Sequence, residues 1–272
     1  MGESRTSPPA LTLVMPCYNE EAIVRYTIER LFSAFDAAGH ELQIVAVDNG
    51  STDRTGDILA ELARRMPGLT VVRVEINQGY GFGVLSGLPA CKAPLVGFIP
   101  ADGEVDAEDV VRLYEAVASS PTPVVGKVRR RFRMDGLKRK LVSTTYNLFV
   151  RLLWPGLRSL DMNGNPKILP RSLIERMKLR STGWLLDAEI LVKAHYMGVR
   201  VLEFNAFARM RSGGTSHVRP SAVWEFVRTL LVFRFSRGWR RDFASAAERE
   251  ARAGGAPVMT AGGEADYSVS KK

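Results

Sequence analysis

Leu42-Gln-Ile-Val-Ala-Val-Asp48-Asn-Gly-Ser-Thr-Asp53 joins a short apolar run, Leu42–Val47, to an acidic loop built around Gly50. A run of that length bounded by turn residues suits a strand buried on both faces of a parallel sheet. Working outward, Leu11–Met15, ended by Pro16, has the same character, Val71–Ile76 is a third strand and Leu95–Ile99 a fourth. Helical spacing fills the gaps. Asn19-Glu20-Glu21 opens a segment with Ile23, Tyr26, Ile28, Leu31, Phe32 and Phe35 inward, and Ile58, Leu59, Leu62 and Met66 mark a second. Asn77–Gly83 is a Gly-rich turn into a third helix. Strands alternating with helices at this spacing form βαβ units, hence an α/β fold with a mostly parallel sheet. Ligands of such sheets sit outside the carboxyl ends of the strands, where every polar loop of this half falls.

Near residue 128 the character changes. Arg129, Arg130 and Arg131 lead into an expected helix over 137–154. Its broad apolar face carries Leu141, Val142, Tyr146, Leu148, Phe149, Leu152 and Leu153, opposite a polar row of Arg139, Ser143, Asn147 and Arg151. A second segment of this kind spans 222–235. Both fit helices lying in a membrane interface, and both also fit ordinary amphipathic helices docked on the domain. His195, beside Leu191 and Ala194, reads as a packing residue.

The chain has 272 residues, enough for one large domain, and a formal net charge of +9. The surplus concentrates in Lys127–Arg158 and Arg200–Arg241, so the basic surface belongs to the second half and calls for a polyanionic neighbour. The two cysteines, Cys17 and Cys91, are too few for a disulfide framework and fit a reducing compartment. The first ten residues lack the apolar core of a signal peptide, and no run of about 18 apolar residues suggests a membrane span. No recognised nucleic-acid module is present, and an acidic loop would face such a polyanion.

Three loops can carry chemistry. Asp48 can accept hydrogen bonds from a base or ribose; Ser51 or Thr52 as N-cap, with Asp53 in the first turn, explains the same loop structurally. Asn77-Gln-Gly79-Tyr-Gly81-Phe-Gly83 lets backbone approach a diphosphate before a helix N-terminus, or is simply a strand–helix turn. Asp102-Gly-Glu104, just past the fourth strand, offers two carboxylates that can hold a hard divalent cation. Asp106, Glu108 and Asp109 suit capping of the next helix.

Taken in order, Val14-Met-Pro16-Cys-Tyr18-Asn-Glu20-Glu21, Val47-Asp48-Asn-Gly50-Ser51-Thr-Asp53 and Asn77-Gln-Gly79-Tyr-Gly81 resemble family-2 glycosyltransferases of GT-A fold. Within them the chain is similar to dolichyl-phosphate mannose synthases and related polyprenyl-phosphate sugar transferases, over about residues 11–235. The resemblance implies a Rossmann-like, mostly parallel sheet flanked by helices, with C-terminal amphipathic interface helices. It implies that Pro16, Tyr18, Glu20, Asp48, Asn77, Gly79, Ala101 and Asp102 bind the nucleotide sugar, and that Asp102 and Glu104 hold Mg²⁺ or Mn²⁺. The family's acidic loop often reads Asp-x-Asp-x-x-Gln; this chain has Pro100 for the first acid and Glu104 where Gln often stands. Arg131, Arg139, Ser143 and Arg211 would receive an acceptor phosphate, with Asp102, Arg139 and Arg211 as the catalytic set. Asp161 and Lys167 keep their places in a motif that here reads Asp161-Met-Asn-Gly-Asn-Pro-Lys167, departing at Asn165-Pro166.

These readings divide the chain into a flexible 1–10, a glycosyltransferase domain over 11–243 and a disordered tail over 244–272. Within the domain, 11–127 is the nucleotide-sugar half and 128–243 the acceptor half. The implied reaction is inverting transfer of a hexose, from a GDP-mannose or UDP-glucose type donor, to polyprenyl phosphate at the cytoplasmic face of a membrane. A phosphate acceptor is already ionised and needs cationic positioning instead of a base. If the acceptor is a soluble hydroxyl, Asp161 or Asp187 becomes the candidate base. Loss of catalysis in a nucleotide-sugar binder is the further alternative that Pro100 raises.

Overall fold

β1 (Leu11–Cys17) and β2 (Leu42–Asn49) are apolar on both faces because helices cover both sides of the sheet they centre. The computed structural model describes residues 8–132, 148–157, 159, 161–207, 228 and 230–235. Residues 1–230 form one compact unit, and the few described residues from 231 onward belong to another. The remaining elements of the first unit are α1 (Val24–Ala37), α2 (Thr55–Arg65), β3 (Leu69–Val74), α3 (Tyr80–Gly87), β4 (Leu95–Phe98), α4 (Ala107–Ala118) and β5 (Val124–Phe132). They continue with α5 (helical residues 148–153), β6 (Lys167–Pro170), α6 (Arg171–Met177), α7 (Leu185–Tyr196) and β7 (Arg200–Phe207).

The sheet has seven strands in the order β3-β2-β1-β4-β6-β5-β7 among the described residues. β3, β2, β1 and β4 run parallel, as the alternating pattern requires. β6 enters antiparallel between β4 and β5, and β7 closes the far edge parallel to β5. The expected α/β architecture, a mostly parallel sheet flanked by helices, is therefore present. β6 is a strand that periodicity does not mark, since four residues show no alternation to read.

α1 buries Val24, Thr27, Ile28, Leu31 and Phe35, a helical stripe that packs on the sheet beside α4. Tyr26, expected inward, is half exposed because it falls off that stripe. α2 buries Thr55, Leu59 and Leu62, with Ile58 and Met66 partly covered at its flanks. α3 lies unusually close to the sheet. A Cβ at Gly87 would stand 2.6 Å from Val14 Cγ1, and one at Gly83 would stand 2.9 Å from Pro16 Cβ. Its glycines are thus needed for close helix–sheet packing.

Of the two expected interface helices, 133–147 and 208–227 lie outside the described residues. In α5 Val150 and Trp154 at its end are buried, whereas Leu148 and Leu152, four apart, are 67% and 74% exposed. Among the described residues no helix is long and apolar enough to cross a membrane. His195 is exposed at the last turn of α7, its ring edge-on to Tyr196, and so does not pack inward as expected: α7 is buried on every side from Leu185 to Ala194, and its burial stops there.

Gly97 on β4 is a tight point near the middle of the sheet. A Cβ there would meet Leu13 Cδ2 at 2.6 Å and Ile168 Cγ1 at 3.1 Å. Gly97→Ala is expected to cost about 1–3 kcal/mol through overpacking, read as a lower midpoint in urea unfolding.

Candidate active site

The loops after β1 and β2 are stitched to each other. Asn19, at a φ of 55°, gives its amide to Ser51 Oγ at 3.2 Å, and its own Oδ1 accepts the Thr52 amide at 2.9 Å. Glu20 N donates to Thr55 Oγ1 (2.8 Å), Glu21 N to Asp53 Oδ2 (3.1 Å), and Arg54 N to Glu21 Oε2 (3.0 Å). Burial alone would raise the Asp53 carboxyl, but hydrogen bonds from Thr55 and from backbone amides outweigh it and hold it below the usual range. Ser51 and Thr52 therefore join two loops and do not cap α2, whose first residue is Thr55. Asp48, only 4% exposed, takes the Ser51 amide on Oδ1 at 3.1 Å. Its Oδ2 comes within 2.6 Å of where a Cβ on Gly56 would stand, so a side chain there would displace it. Pro16, Tyr18 and Glu20 follow on β1 and its loop, with the Tyr18 ring 46% exposed beside this platform.

The acidic loop is fixed from beneath. Thr27 Oγ1 donates to the carbonyl of buried Ala101 at 3.0 Å, anchoring the loop to α1. Gly103 adopts a φ of 64°, which turns the chain so that the Glu104 amide donates to Asp102 Oδ1 at 3.1 Å. Asp102 and Glu104 line one pocket with Pro100, Arg30, Tyr26 and Asn165. Among the described residues no group of three Asp, Glu, His or Cys side chains gathers around a common point. Two carboxylates fit Mg²⁺ or Mn²⁺ when diphosphate oxygens and water complete an octahedron, the usual way such ions are held beside phosphates. The residues present fit the ion on those terms.

The Gly-rich turn, open beforehand to either reading, is packed against the chain's own backbone. Asn77 Oδ1 accepts the Gly79 amide at 2.8 Å and an Asn49 Nδ2 proton at 3.3 Å, shaping the turn from within. The backbone that approaches its glycines is the chain's own. Phe82 N donates to Thr182 O at 2.7 Å, and Cβ atoms on Gly79 and Gly81 would clash with Thr182 O and Ser181 O at 2.8 and 2.3 Å. A carbonyl from the second half thus satisfies a first-turn amide of α3. That loop is itself held by Glu189, which accepts the Arg180 and Ser181 amides and the Lys193 ammonium.

Behind the acidic pocket lies a buried ionic network that sequence spacing does not assemble. Lys167, fully buried, donates to Asp187 Oδ1 (2.7 Å), Gly164 O (2.9 Å) and Asn165 Oδ1 (3.3 Å). Asn165 Nδ2 donates to the other Asp187 oxygen at 3.2 Å. Directly across the strand pair, Lys127 donates to Ser159 Oγ (3.3 Å), Glu203 Oε1 (3.2 Å) and the Asp161 carbonyl. Asp187 is 1% exposed with both oxygens engaged, so as a base it would have to break its contact with an ammonium. The signal available beforehand was the set of charged residues, Lys167, Asp187, Glu189 and Lys193, set among apolar ones, a pattern that demands partners.

Arg131 falls at an irregularity of β5, between Arg130 and Phe132. Arg139, Ser143 and Arg211 lie outside the described residues. The loops of Pro16, Tyr18, Asp48, Asn77, Gly79 and Asp102 all leave the carboxyl ends of β1, β2, β3 and β4, as expected.

Removing one partner of the buried pair should expose its cost. Lys167→Met leaves Asp187 uncompensated and is expected to lose about 3–5 kcal/mol in urea unfolding, while Lys167→Met with Asp187→Leu recovers most of it. Lys127 supplies a pH signature. Burial, and then the Lys167 charge, push its ammonium from 10.5 down to about 8. The unfolded chain binds this proton at higher pH than the folded protein, so its stability contribution is present above 10.5 and is lost as pH falls to about 8. Wild-type stability should therefore rise between those two values relative to Lys127→Met, in paired denaturation series.

Residues 12–177 match the Glycosyl transferase family 2 domain. An undecaprenyl-phosphate 4-deoxy-4-formamido-L-arabinose transferase of Edwardsiella ictaluri is 37% identical over 139 residues, covering 50% of this chain and 42% of that protein. A dolichol-phosphate mannosyltransferase of Pyrococcus furiosus is 27% identical over 80% of this chain and 62% of its own length. The chain thus spans less than two thirds of either relative. In fold it is similar to glucosyl-3-phosphoglycerate synthase from Mycobacterium tuberculosis, solved with Mn²⁺, UDP and glucosyl-3-phosphoglycerate. The TM-score is 0.66 at 20% identity, over 83% of this chain and 80% of that one. With more than half of the sequence matched by that family's domain, the chain belongs to glycosyl transferase family 2.

Proposed function

We propose that the chain transfers a sugar from a nucleotide diphosphate donor to a polyprenyl phosphate. The observation that carries the choice of acceptor is the occupation of Asp187. Of the two carboxylates a hydroxyl acceptor could use as a base, Asp187 is sealed between Lys167 and Asn165, and the neighbouring Glu189 is spent on Arg180, Ser181 and Lys193. A phosphate acceptor arrives ionised and needs neither. The undecaprenyl-phosphate and dolichol-phosphate transferases among the relatives support the same acceptor class.

In this reading Pro16, Tyr18, Glu20 and Asp48 receive the nucleoside, with Asn77, Gly79 and Ala101 shaping the backbone around it. Asp102 and Glu104 hold Mg²⁺ or Mn²⁺ against the diphosphate; when bound, the ion offsets the charge that builds on the leaving nucleotide. The buried network keeps Asn165 at the mouth of the same pocket. Arg131, Arg139, Ser143 and Arg211 position the acceptor phosphate, and in-line attack inverts the anomeric centre. The exposed Leu148 and Leu152 of α5, together with the basic second half, favour docking of the protein on an anionic membrane at its cytoplasmic face.

Incubating the full chain with GDP-mannose or UDP-glucose, Mn²⁺ and a short polyprenyl phosphate should give a sugar-labelled product that partitions into organic solvent. Chelation should abolish it, and Asp102→Ala should lower it by about 100-fold, in line with losing several kcal/mol of charge stabilisation. Glycosylation of a soluble hydroxyl acceptor, with no transfer to any polyprenyl phosphate, would overturn the reading.

A further inference from the structure

The strongest unassigned feature is an aromatic pair at the seam between the Gly-rich turn and α7. The rings of Tyr80 and Trp184 stack with centroids 5.3 Å apart and planes 6° from parallel. Trp184 is nevertheless 61% exposed. Single exposed aromatics are ordinary on protein surfaces; this one differs in being held. Tyr80 backs one face of the indole. The loop that carries it is pinned by the Arg180 and Ser181 amides on Glu189 and by the Phe82 amide on Thr182 O. Gly183 O accepts the Leu186 amide at 3.3 Å directly beyond it. The indole therefore offers its exposed surface without a large ordering cost on binding.

Its place narrows what it meets. Trp184 is the residue before α7, and one turn later Asp187 bonds Asn165, which lines the pocket of Asp102 and Glu104. On its other side Tyr80 begins α3, beside the turn of Asn77 and Gly79. Trp184 thus joins the loop packed on the Gly-rich turn to the helix whose Asp187 holds Asn165 at the acidic pocket, while Asp48 and Tyr18 lie on the loops of β2 and β1. The part of a nucleotide sugar that follows the diphosphate is a pyranose. Its C–H face is apolar and matches the electron-rich face of an indole, whereas its hydroxyl rim stays wet.

We propose that Trp184, backed by Tyr80, is the platform on which the donor's transferred sugar stacks. This rests on the proposed function, since it takes the donor to be a nucleotide sugar.

Titration calorimetry with UDP-glucose, GDP-mannose, UDP and GDP, in Mn²⁺, on the full chain tests it. For the nucleotide sugar that wild type prefers, Trp184→Ala should weaken binding about tenfold, equivalent to about 1.4 kcal/mol. The matching free nucleotide should bind as in wild type, and Trp184→Phe should keep most of the affinity. Equal weakening of nucleotide and nucleotide sugar would move the indole to the base and overturn the proposal. Unchanged binding of both would overturn it too, whether or not the apparent KM for polyprenyl phosphate rises. Wild-type protein that binds none of the four ligands would instead remove the proposed function itself. Trp184→Ala and Trp184→Phe should melt close to wild type, because the ring is largely exposed.

Discussion

Lys167 gives its protons to Asp187, Asn165 and Gly164 where water does not reach, and the arrangement around the acidic pocket hangs on that contact. The ammonium sits on β6, which runs antiparallel between β4 and β5, and Asp187 sits in the first turn of α7. Joining them fixes the second half of the chain to the middle of the sheet. It also fixes Asn165 at the pocket and, one turn back along α7, the indole of Trp184. Desolvating two charges is costly, and their attraction offsets that cost only with further hydrogen bonds, which Asn165 and Gly164 supply.

A second set of contacts does comparable work on the other side of the pocket. The loops after β1 and β2 exchange hydrogen bonds through Asn19, Glu20, Glu21, Ser51 and Asp53. Each loop alone would be a short polar connection. Bonded together, the loops that carry Asp48 and Tyr18 are held in a fixed relation.

The first half was legible because its strands are short, mostly apolar runs and its helices carry one buried stripe each, two patterns with different periods. Asp48, Asn77 and Asp102 could be placed at one edge of the sheet on that basis alone. What the spacing concealed came from long-range pairing. β6 is too short for a pattern, and the partnership of Lys167 with Asp187 joins residues twenty apart across mixed structure. The glycines of α3 looked like room for a ligand, yet they make room for Val14, Pro16 and the carbonyls of Ser181 and Thr182. A missing side chain says that something comes close without saying what.

The order of the sheet has a consequence for how the chain reaches its folded state. β6 lies between β4 and β5, although β5 precedes it in sequence. Until residues 167–170 arrive, β4 and β5 have no partner for their facing edges, and the four parallel strands present a bare row of amides and carbonyls along β4. Such an edge invites pairing with another molecule. The stretch between β5 and β6 must therefore be spanned before the sheet can close, a non-local step of the kind that slows folding. The active-site half protects itself from aggregation only by recruiting a strand from beyond its own boundary.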